Sequence, residues 1–263
     1  MKTFKEYSKD GDQFFVNKDG RAVFNEPVYF RMDGKKGSSK KKLKEDYSSL
    51  PRIDTLPGQH KDSSEADKQH TKLSDEIKSH QQKPSEEHEK HLKSYTNVYS
   101  NQSHTIARKV ISNHKKGLPE TEGMKPKDAE THKAIAHVAN QKIGKEVHLY
   151  SGTKFDPRKA VKKSKSDIVH MPAHLSTTHS IQTAHMFALG HAETEEGDVK
   201  PMHILHIHAK PSDKGYHVGG FEKETIIPGK TNLKYSHTTD HSDDHVWGPN
   251  LVHVHHFTIH SQD

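Results

Sequence analysis

Two short segments decide the fold: His174-Leu175-Ser176-Thr177-Thr178 and Phe221-Glu222-Lys223-Glu224-Thr225-Ile226-Ile227. The first segment predicts the end of a strand that passes into a helix. Apolar residues recur near helical spacing just after it, at Ile181, Ala184, Phe187 and Ala188. The helix would therefore start within a few residues of the three hydroxyl side chains.

The second segment follows the turn Gly219-Gly220 and predicts a strand. Because side chains alternate along a strand, Glu222 and Glu224 are expected on one face. Two neighbouring carboxylates repel each other unless a positive or reacting group lies between them. An isolated Glu-x-Glu is most often a solvated strand edge, so its interpretation depends on the surrounding sequence.

The surrounding sequence supplies a series of elements in a fixed order. A strand ends at Tyr150-Ser151-Gly152, the Ser-Thr-Thr strand follows, and then come the strand His203–His208, a Gly-rich turn and Glu-x-Glu. In this order the sequence resembles mono-ADP-ribosyltransferases of the arginine-serine-glutamate class, and most of all those encoded by contractile-tailed bacteriophages. The resemblance covers roughly residues 86–261 and rests on the ordered motifs together.

The resemblance implies catalytic roles for three residues. In the family, the second Glu of Glu-x-Glu stabilises the oxocarbenium-like cation formed when NAD loses nicotinamide, and this position is Glu224. The first, Glu222, would orient and deprotonate an arginine acceptor, and Ser176 would brace Glu224. Phe221 matches the loop that recognises the acceptor. NAD is implied as a substrate, and no metal is expected.

The resemblance also implies NAD-binding residues on the first two strands: Tyr150, Ser151, Gly152, Thr177 and Thr178. Thr178 stands where the family has serine and keeps the hydroxyl. Ser151 stands where the family usually has an arginine, and a serine cannot grip a phosphate with two hydrogen bonds. Three explanations remain open. This branch tolerates serine, Arg158 or a lysine such as Lys154 supplies the cation, or the domain is inactive.

Composition sets the limits of the chain. It has 263 residues, a net charge of +6, 29% hydrophobic residues and no cysteine. Its isoelectric point is about 9.1 and its mean hydropathy is −1.04. No apolar run reaches the roughly 18 residues of a membrane span, so no membrane association is expected. The first residues lack the apolar core of a secretory signal, and the absence of cysteine excludes disulfides.

The N-terminal part is predicted to differ from the rest. Residues 1–85 are expected to be a polar, basic, largely disordered segment, and residues 86–263 the transferase-like domain. The opening Met1–Tyr7 resembles the leader that directs internal proteins into phage heads. That resemblance implies a location in the virion head and then in the host cytoplasm. The lysine run Lys35–Lys44 has the composition of a solvated linker, and its functional interpretation is non-specific, salt-dependent contact with DNA.

Histidine is unusually frequent, with 26 residues. His206 and His208 alternate with apolar residues, as do His253 and His255, which is the polar-out pattern of a half-covered sheet. A zinc site is the alternative interpretation. It is disfavoured because the His-Glu-x-x-His motif and cysteine ligands are absent.

The pattern of elements predicts an α+β fold with helices first. Helices are expected over about 63–82, from about residue 84 to 99, around 106–111, and over about 128–141 with Gly144 at its end. Short strands follow, the last over about Leu251–Ile259. The resemblance implies that the strands form two small facing sheets with an NAD cleft between them.

Two functions follow from these observations. The first is NAD-dependent transfer of ADP-ribose to arginine side chains of host proteins. The second is a catalytically inactive, basic internal head protein of a phage that keeps a vestigial transferase fold.

Overall fold

The computed structural model describes residues 14–17, 20–24, 47–57, 59, 63–96, 102–192, 200–220, 222–245 and 248–262. The helices in this part of the chain are α1 (Ser63–Ser79), α2 (Glu86–Tyr95), α3 (Gln102–Lys116), α4 (Pro126–Ala139), α5 (Pro157–Ser164) and α6 (Ile181–Ala192), and a 3-10 turn spans Ile53–Thr55. The strands are β1 (Phe14–Val16), β2 (Ala22–Phe24), β3 (Val147–Thr153), β4 (Ile168–Met171), β5 (Leu175–Thr178), β6 (Met202–Ala209), β7 (Tyr216–Gly219), β8 (Glu224–Ile227), β9 (Thr231–His245) and β10 (Gly248–Gln262).

The predicted helices form, and four of them precede β3. Ser85 begins α2, because its side chain accepts a hydrogen bond from the His88 N–H at 3.2 Å. The expected end of α4 at Gly144 is wrong. The helix ends at Ala139, and Gly144 lies in the following loop with a φ of +78°. There its N–H donates to the Pro211 carbonyl at 2.9 Å.

Hydrogen bonds join the strands in the order β1-β2-β4-β9-β10-β6-β3-β5-β8-β7. The β10–β6 and β2–β4 pairs are parallel and the others are antiparallel. At the β3–β5 junction the register holds a single pair, Tyr150 with Thr178. Beyond that junction, Leu175 and Ile227 pack in the same buried cluster as Leu149. Two groups of strands, the seven from β1 to β3 in this order and the three that follow, β5, β8 and β7, thus pack around one buried cluster, as expected for two facing sheets.

Helix α1 and the segment before it belong to the core, which corrects the expected division at residue 86. Ile77 of α1 is buried with Leu149 and Leu205. Ile53 and Leu56 are buried against α6 residues such as Ile181. The polar composition hid these contacts, because a few apolar side chains at helical spacing are enough to dock a helix. Met1–Tyr7 and Lys35–Lys44 lie outside the described residues.

We expect Ile77→Ala to lower the free energy of unfolding by about 2–5 kcal/mol, because it leaves a cavity where a fully buried side chain was. Leu118→Ala is the matched control, since Leu118 is 44% exposed, and its effect should stay within about 0.5 kcal/mol. Urea unfolding of both variants measures the difference. Equal effects would mean that α1 does not dock on the core.

Several histidines lie inside the molecule, so the expected polar-out pattern is wrong for them. His206 is 6% exposed, His253 8% and His255 0%. Their ring nitrogens find partners within the structure. His206, for instance, bonds His148 at 2.9 Å through one ring nitrogen and His256 at 2.8 Å through the other. A polar side chain can alternate with apolar ones and still be buried where both faces of a sheet are covered.

No helix in the described part of the chain combines the length and the apolar character that crossing a membrane requires.

Candidate active site

The Ser176 hydroxyl donates a hydrogen bond to Glu224 Oε1 at 2.5 Å. Ser176 is paired with Ile226 across β5 and β8, and Glu224 is paired with Thr178. Paired and alternate residues share a face of a sheet, so Ser176 and Glu224 are diagonal neighbours on one face. The register of two short strands therefore sets this contact, which brings together two residues 48 positions apart.

The Glu224 carboxyl group is held in a buried environment, since the residue is only 6% exposed. Burial raises the pKa of Glu224 to about 7. The hydrogen bond from Ser176 opposes this rise, and the charge of Glu222 adds to it. Near neutral pH the group therefore titrates between a hydrogen-bonded acid and a buried carboxylate. A raised pKa of this kind is common at functional sites.

Glu222 lies in the turn before β8, which corrects the expected placement of both glutamates on one strand face. The strand begins at Glu224. Lys223, between the two glutamates, has a φ of 52° and breaks the alternation. The Thr178 hydroxyl holds the turn by donating to the Glu222 carbonyl at 2.7 Å. Burial raises the pKa of Glu222 as well.

No protein-family model matches this chain, and no curated protein matches it. Solved structures do match. Vis toxin, an ADP-ribosyltransferase from Vibrio splendidus, superposes with a TM-score of 0.51 at 11% identity, over 79% of this chain and 89% of that one. BECa, an ADP-ribosylating toxin of a binary enterotoxin of C. perfringens solved with NADH, gives a TM-score of 0.50 at 15% identity, over 72% of this chain and 47% of that chain.

The chain has the ADP-ribosyltransferase fold. This confirms the expected fold class, and at these identities the likeness extends to the fold alone. The chain spans about half the length of BECa. In this fold, Ser176 lies on β5 and Glu224 is the first residue of β8, directly after the turn that contains Glu222.

Ser151 faces the core of this fold. It is fully buried, and its hydroxyl donates to the Ser176 carbonyl at 2.8 Å. Leu149, two residues earlier and on the same strand face, belongs to the main buried cluster. Ser151 therefore ties β3 to β5 directly behind the Ser176–Glu224 pair. Tyr150 points the other way, and its hydroxyl donates to the Pro57 carbonyl at 2.7 Å.

Gly152 packs against the backbone of α6. A Cβ at this position would lie 2.3 Å from the Ala184 carbonyl oxygen and 2.4 Å from the Ala188 nitrogen. Any side chain would force the helix away from β3. Gly152 thus sets the distance between β3 and α6, and its assignment to NAD binding stays a prediction.

Arg158 lies at the first turn of α5 and binds Asp156 with two nitrogens. Its Nε donates to Asp156 Oδ1 at 2.9 Å, and its Nη2 donates to Oδ2 at 3.0 Å. The hydrogen bonds to Asp156 raise the pKa of Arg158, and the charge of Asp240, on β9, adds to the rise. Among the described residues, no hydrogen bond or ion pair joins Arg158 to the Ser176–Glu224 pair. Its role as the phosphate cation is an untested prediction.

The two threonines of the Ser-Thr-Thr segment use their hydroxyls within the fold. Thr177 donates to the Thr225 carbonyl at 2.6 Å, and Thr178 accepts from the Ser180 N–H at 3.1 Å while donating to Glu222. Both side chains are fully buried. Phe221 lies outside the described residues.

Helix α1 contacts this turn, and no pattern in the sequence indicates the contact. Lys223 Nζ lies 2.8 Å from Asp67 Oδ1, across 156 positions of sequence. His70 of α1 lies against His179, with ring centroids 5.0 Å apart. His179 directly follows the Ser-Thr-Thr segment. No periodicity connects such distant residues, so only the folded structure brings α1 beside the turn with Glu222.

Proposed function

We propose that the protein is an NAD-dependent mono-ADP-ribosyltransferase that modifies arginine side chains of host proteins. The proposal is carried by one observation in the context of the ADP-ribosyltransferase fold. A buried glutamate, Glu224, is held at 2.5 Å by the Ser176 hydroxyl, and a second glutamate, Glu222, lies on the turn just before it.

The proposed reaction places the Glu224 carboxylate beside the ribose of NAD. The bond between ribose C1 and the nicotinamide nitrogen breaks, and its electron pair leaves with nicotinamide. Positive charge then develops on the ribose, as in glycoside cleavage. A fixed carboxylate lowers the energy of that charge more than water does, because it needs no reorganisation during the reaction. Ser176 keeps the carboxylate in one orientation.

The acceptor step is proposed for Glu222. A guanidinium group is protonated at neutral pH and is a poor nucleophile until a base takes one of its protons. As the new bond forms between ribose C1 and a guanidinium nitrogen, that proton passes to the Glu222 carboxylate. The raised pKa of Glu222 makes it a stronger base than an exposed glutamate. A base at this position supports arginine as the acceptor.

Activity should depend on pH through Glu224. The mechanism needs the carboxylate, and burial raises the pKa of Glu224 to about 7. We therefore expect kcat/KM for NAD cleavage to fall about tenfold per pH unit below that value, because it follows the ionisation of the free enzyme. Nicotinamide release measured across this range, at pH values where circular dichroism reports a folded protein, checks the expectation. A flat profile would contradict it.

The direct test of the proposed function uses purified protein without an affinity tag. It is incubated with labelled NAD and a bacterial lysate, and modified peptides are identified by mass spectrometry. We expect nicotinamide release and ADP-ribose on arginine residues. Glu130→Gln, which changes an exposed carboxylate on α4, is the control and should label normally. No nicotinamide release at millimolar NAD would refute the enzyme proposal.

One observation favours the alternative of an inactive internal head protein. Ser151 is fully buried and bonded to the β5 backbone, so the position where related sequences have arginine offers no cation here. In this alternative the basic run Lys35–Lys44 binds DNA in the virion and the fold is retained without activity. Binding to DNA together with an absence of NAD cleavage would support it.

A further inference from the structure

Three potential metal ligands meet where β3 passes into α5. They are Asp156 from the turn, His203 from β6 and His255 from β10. One carboxylate oxygen and one ring nitrogen from each histidine all lie within 4.8 Å of one another. This cluster is separate from the Ser176–Glu224 pair, which lies on β5 and β8.

The backbone fixes these three side chains. His203 is paired with His253 in the parallel β6–β10 register, and His255 is the next residue on the same face. His203 Nδ1 and His255 Nε2 consequently lie 3.0 Å apart. Asp156 is the N-cap of α5 and accepts from the Arg158 N–H at 3.1 Å. The side chains of the α5 N-cap and of two adjacent strands thus converge at one point.

The surrounding contacts orient the ligands as metal sites require. His255 Nδ1 lies 2.8 Å from Thr238 Oγ1, which in turn lies 2.8 Å from the Tyr235 hydroxyl. If Nδ1 donates to Thr238, the lone pair of Nε2 points into the cluster. Metal-binding histidines commonly use their second nitrogen in this way. Asp156 Oδ1 accepts two bonds from Arg158, one from the backbone N–H and one from Nε, whereas Oδ2 accepts one from Nη2 and keeps a further lone pair.

The three ligands differ in how far they are buried, and the cluster is open to solvent on one side. His255 is fully buried, whereas Asp156 and His203 are partly exposed. The Asp156 side chain is 13% exposed. A cation could therefore reach the cluster from the Asp156 side and meet a donor held rigidly in the sheet.

We propose that Asp156, His203 and His255 bind a divalent transition-metal ion. Two imidazole nitrogens and one carboxylate oxygen form a donor set that suits zinc and its neighbours, with the remaining position left to water. Bound there, the ion would tie the β3–α5 turn to the two strands. A metal at this site differs from the sequence-based expectation of no metal. The alternation of residues along a strand does not reveal ligands that converge from three separate elements.

Zinc binding to the full-length protein tests the proposal. The protein is prepared without an affinity tag, stripped with a chelator, and titrated with Zn²⁺ by calorimetry. A parallel titration with Co²⁺ follows the visible absorption bands of the bound ion. We expect one strong site in the wild-type protein. Asp156→Asn and His203→Gln should each raise the Kd at least tenfold and weaken the cobalt bands.

The variants are chosen so that loss of binding is not loss of folding. Asparagine is as good an N-cap as aspartate, so Asp156→Asn removes the charge and keeps the start of α5. Two control variants should bind zinc like the wild type. His260→Gln changes an exposed histidine on β10, and His206→Gln changes the opposite face of β6. Unfolding temperatures measured without metal confirm that each variant is folded.

Three outcomes would overturn the proposal. The first would be that the wild-type protein binds no zinc above background. The second would be that Asp156→Asn and His203→Gln bind zinc as tightly as the wild type does. Alternatively, binding is lost in His206→Gln and retained in Asp156→Asn, which would place the ion on the row His148, His206 and His256. All of these readouts are independent of NAD cleavage.

Discussion

Glu224→Gln is expected to lower kcat for NAD cleavage roughly 10²–10³-fold while leaving KM for NAD nearly unchanged. The amide has the shape of the carboxyl group, and its oxygen can still accept the hydrogen bond from Ser176. What it lacks is the negative charge beside the developing ribose cation. The loss therefore belongs to the transition state and should appear in kcat. Initial rates of nicotinamide release measure it.

Folding of this variant is checked in the same experiment. The charged form of Glu224 is disfavoured by burial, so a neutral amide should not lower the unfolding temperature near neutral pH. Glu130→Gln serves as the matched control for removing a carboxylate elsewhere. A Glu224→Gln protein with the wild-type turnover would show that another group stabilises the cation. The ADP-ribosyltransferase fold would stand, and the assignment of the site would not.

Glu222→Gln is expected to separate the two reactions that the site can perform. Transfer to arginine should fall roughly 10²–10⁴-fold, because the guanidinium loses the base that takes its proton. Hydrolysis of NAD should largely remain, since water attacks an oxocarbenium ion with little assistance. The same preparation is assayed for labelled protein and for nicotinamide, so that differences in enzyme concentration cancel.

The comparison of the two glutamate variants decides the division of roles. Equal loss of hydrolysis in Glu222→Gln and Glu224→Gln would mean that Glu222 acts on NAD itself. Arginine labelling that survives in Glu222→Gln would mean that the acceptor is activated by another group. The placement of Glu222 on the turn ahead of β8, and of Glu224 at the first residue of the strand, favours distinct roles.

Sequence could predict those parts of the molecule that depend on local patterns. The spacing of Ile106, Val110 and Ile111 predicted α3, and all three residues are buried in it. The family resemblance carried by the order of motifs implied the fold and singled out Ser176 and Glu224, which the register of β5 and β8 brings into contact. The helix prediction succeeds because periodicity carries information within about ten residues, whereas the catalytic roles of Ser176 and Glu224 stay predictions.

What sequence could not predict depends on contacts between distant elements. The docking of α1 rests on a few apolar side chains in a polar helix, chiefly Leu73 and Ile77, and so short an apolar stripe is a weak periodic signal. The direction of Ser151 follows from which face of β3 turns toward the buried cluster that contains Leu149, whereas the motif alone implied a cofactor contact. The turn at Lys223 was missed because its positive φ interrupts a sequence that alternates like a strand.

The histidines inside the fold also make the folded state sensitive to acid. Burial, the largest cause in each case, lowers the pKa of His174 to about 3, of His179 to about 2, of His206 to about 3 and of His217 to about 4. The unfolded chain takes up protons at these rings as the pH falls through about 6.5, whereas the folded chain takes them up only near their lowered pKa values.

The free energy of unfolding is therefore highest above about pH 6.5 as far as these histidines are concerned, and it decreases as the pH falls below that value. The net stability of a folded domain is only about 5–15 kcal/mol, so proton uptake by several such rings on unfolding opposes it directly. Acidification alone, without denaturant, would then unfold the protein, because unfolding lets its buried histidines take up protons.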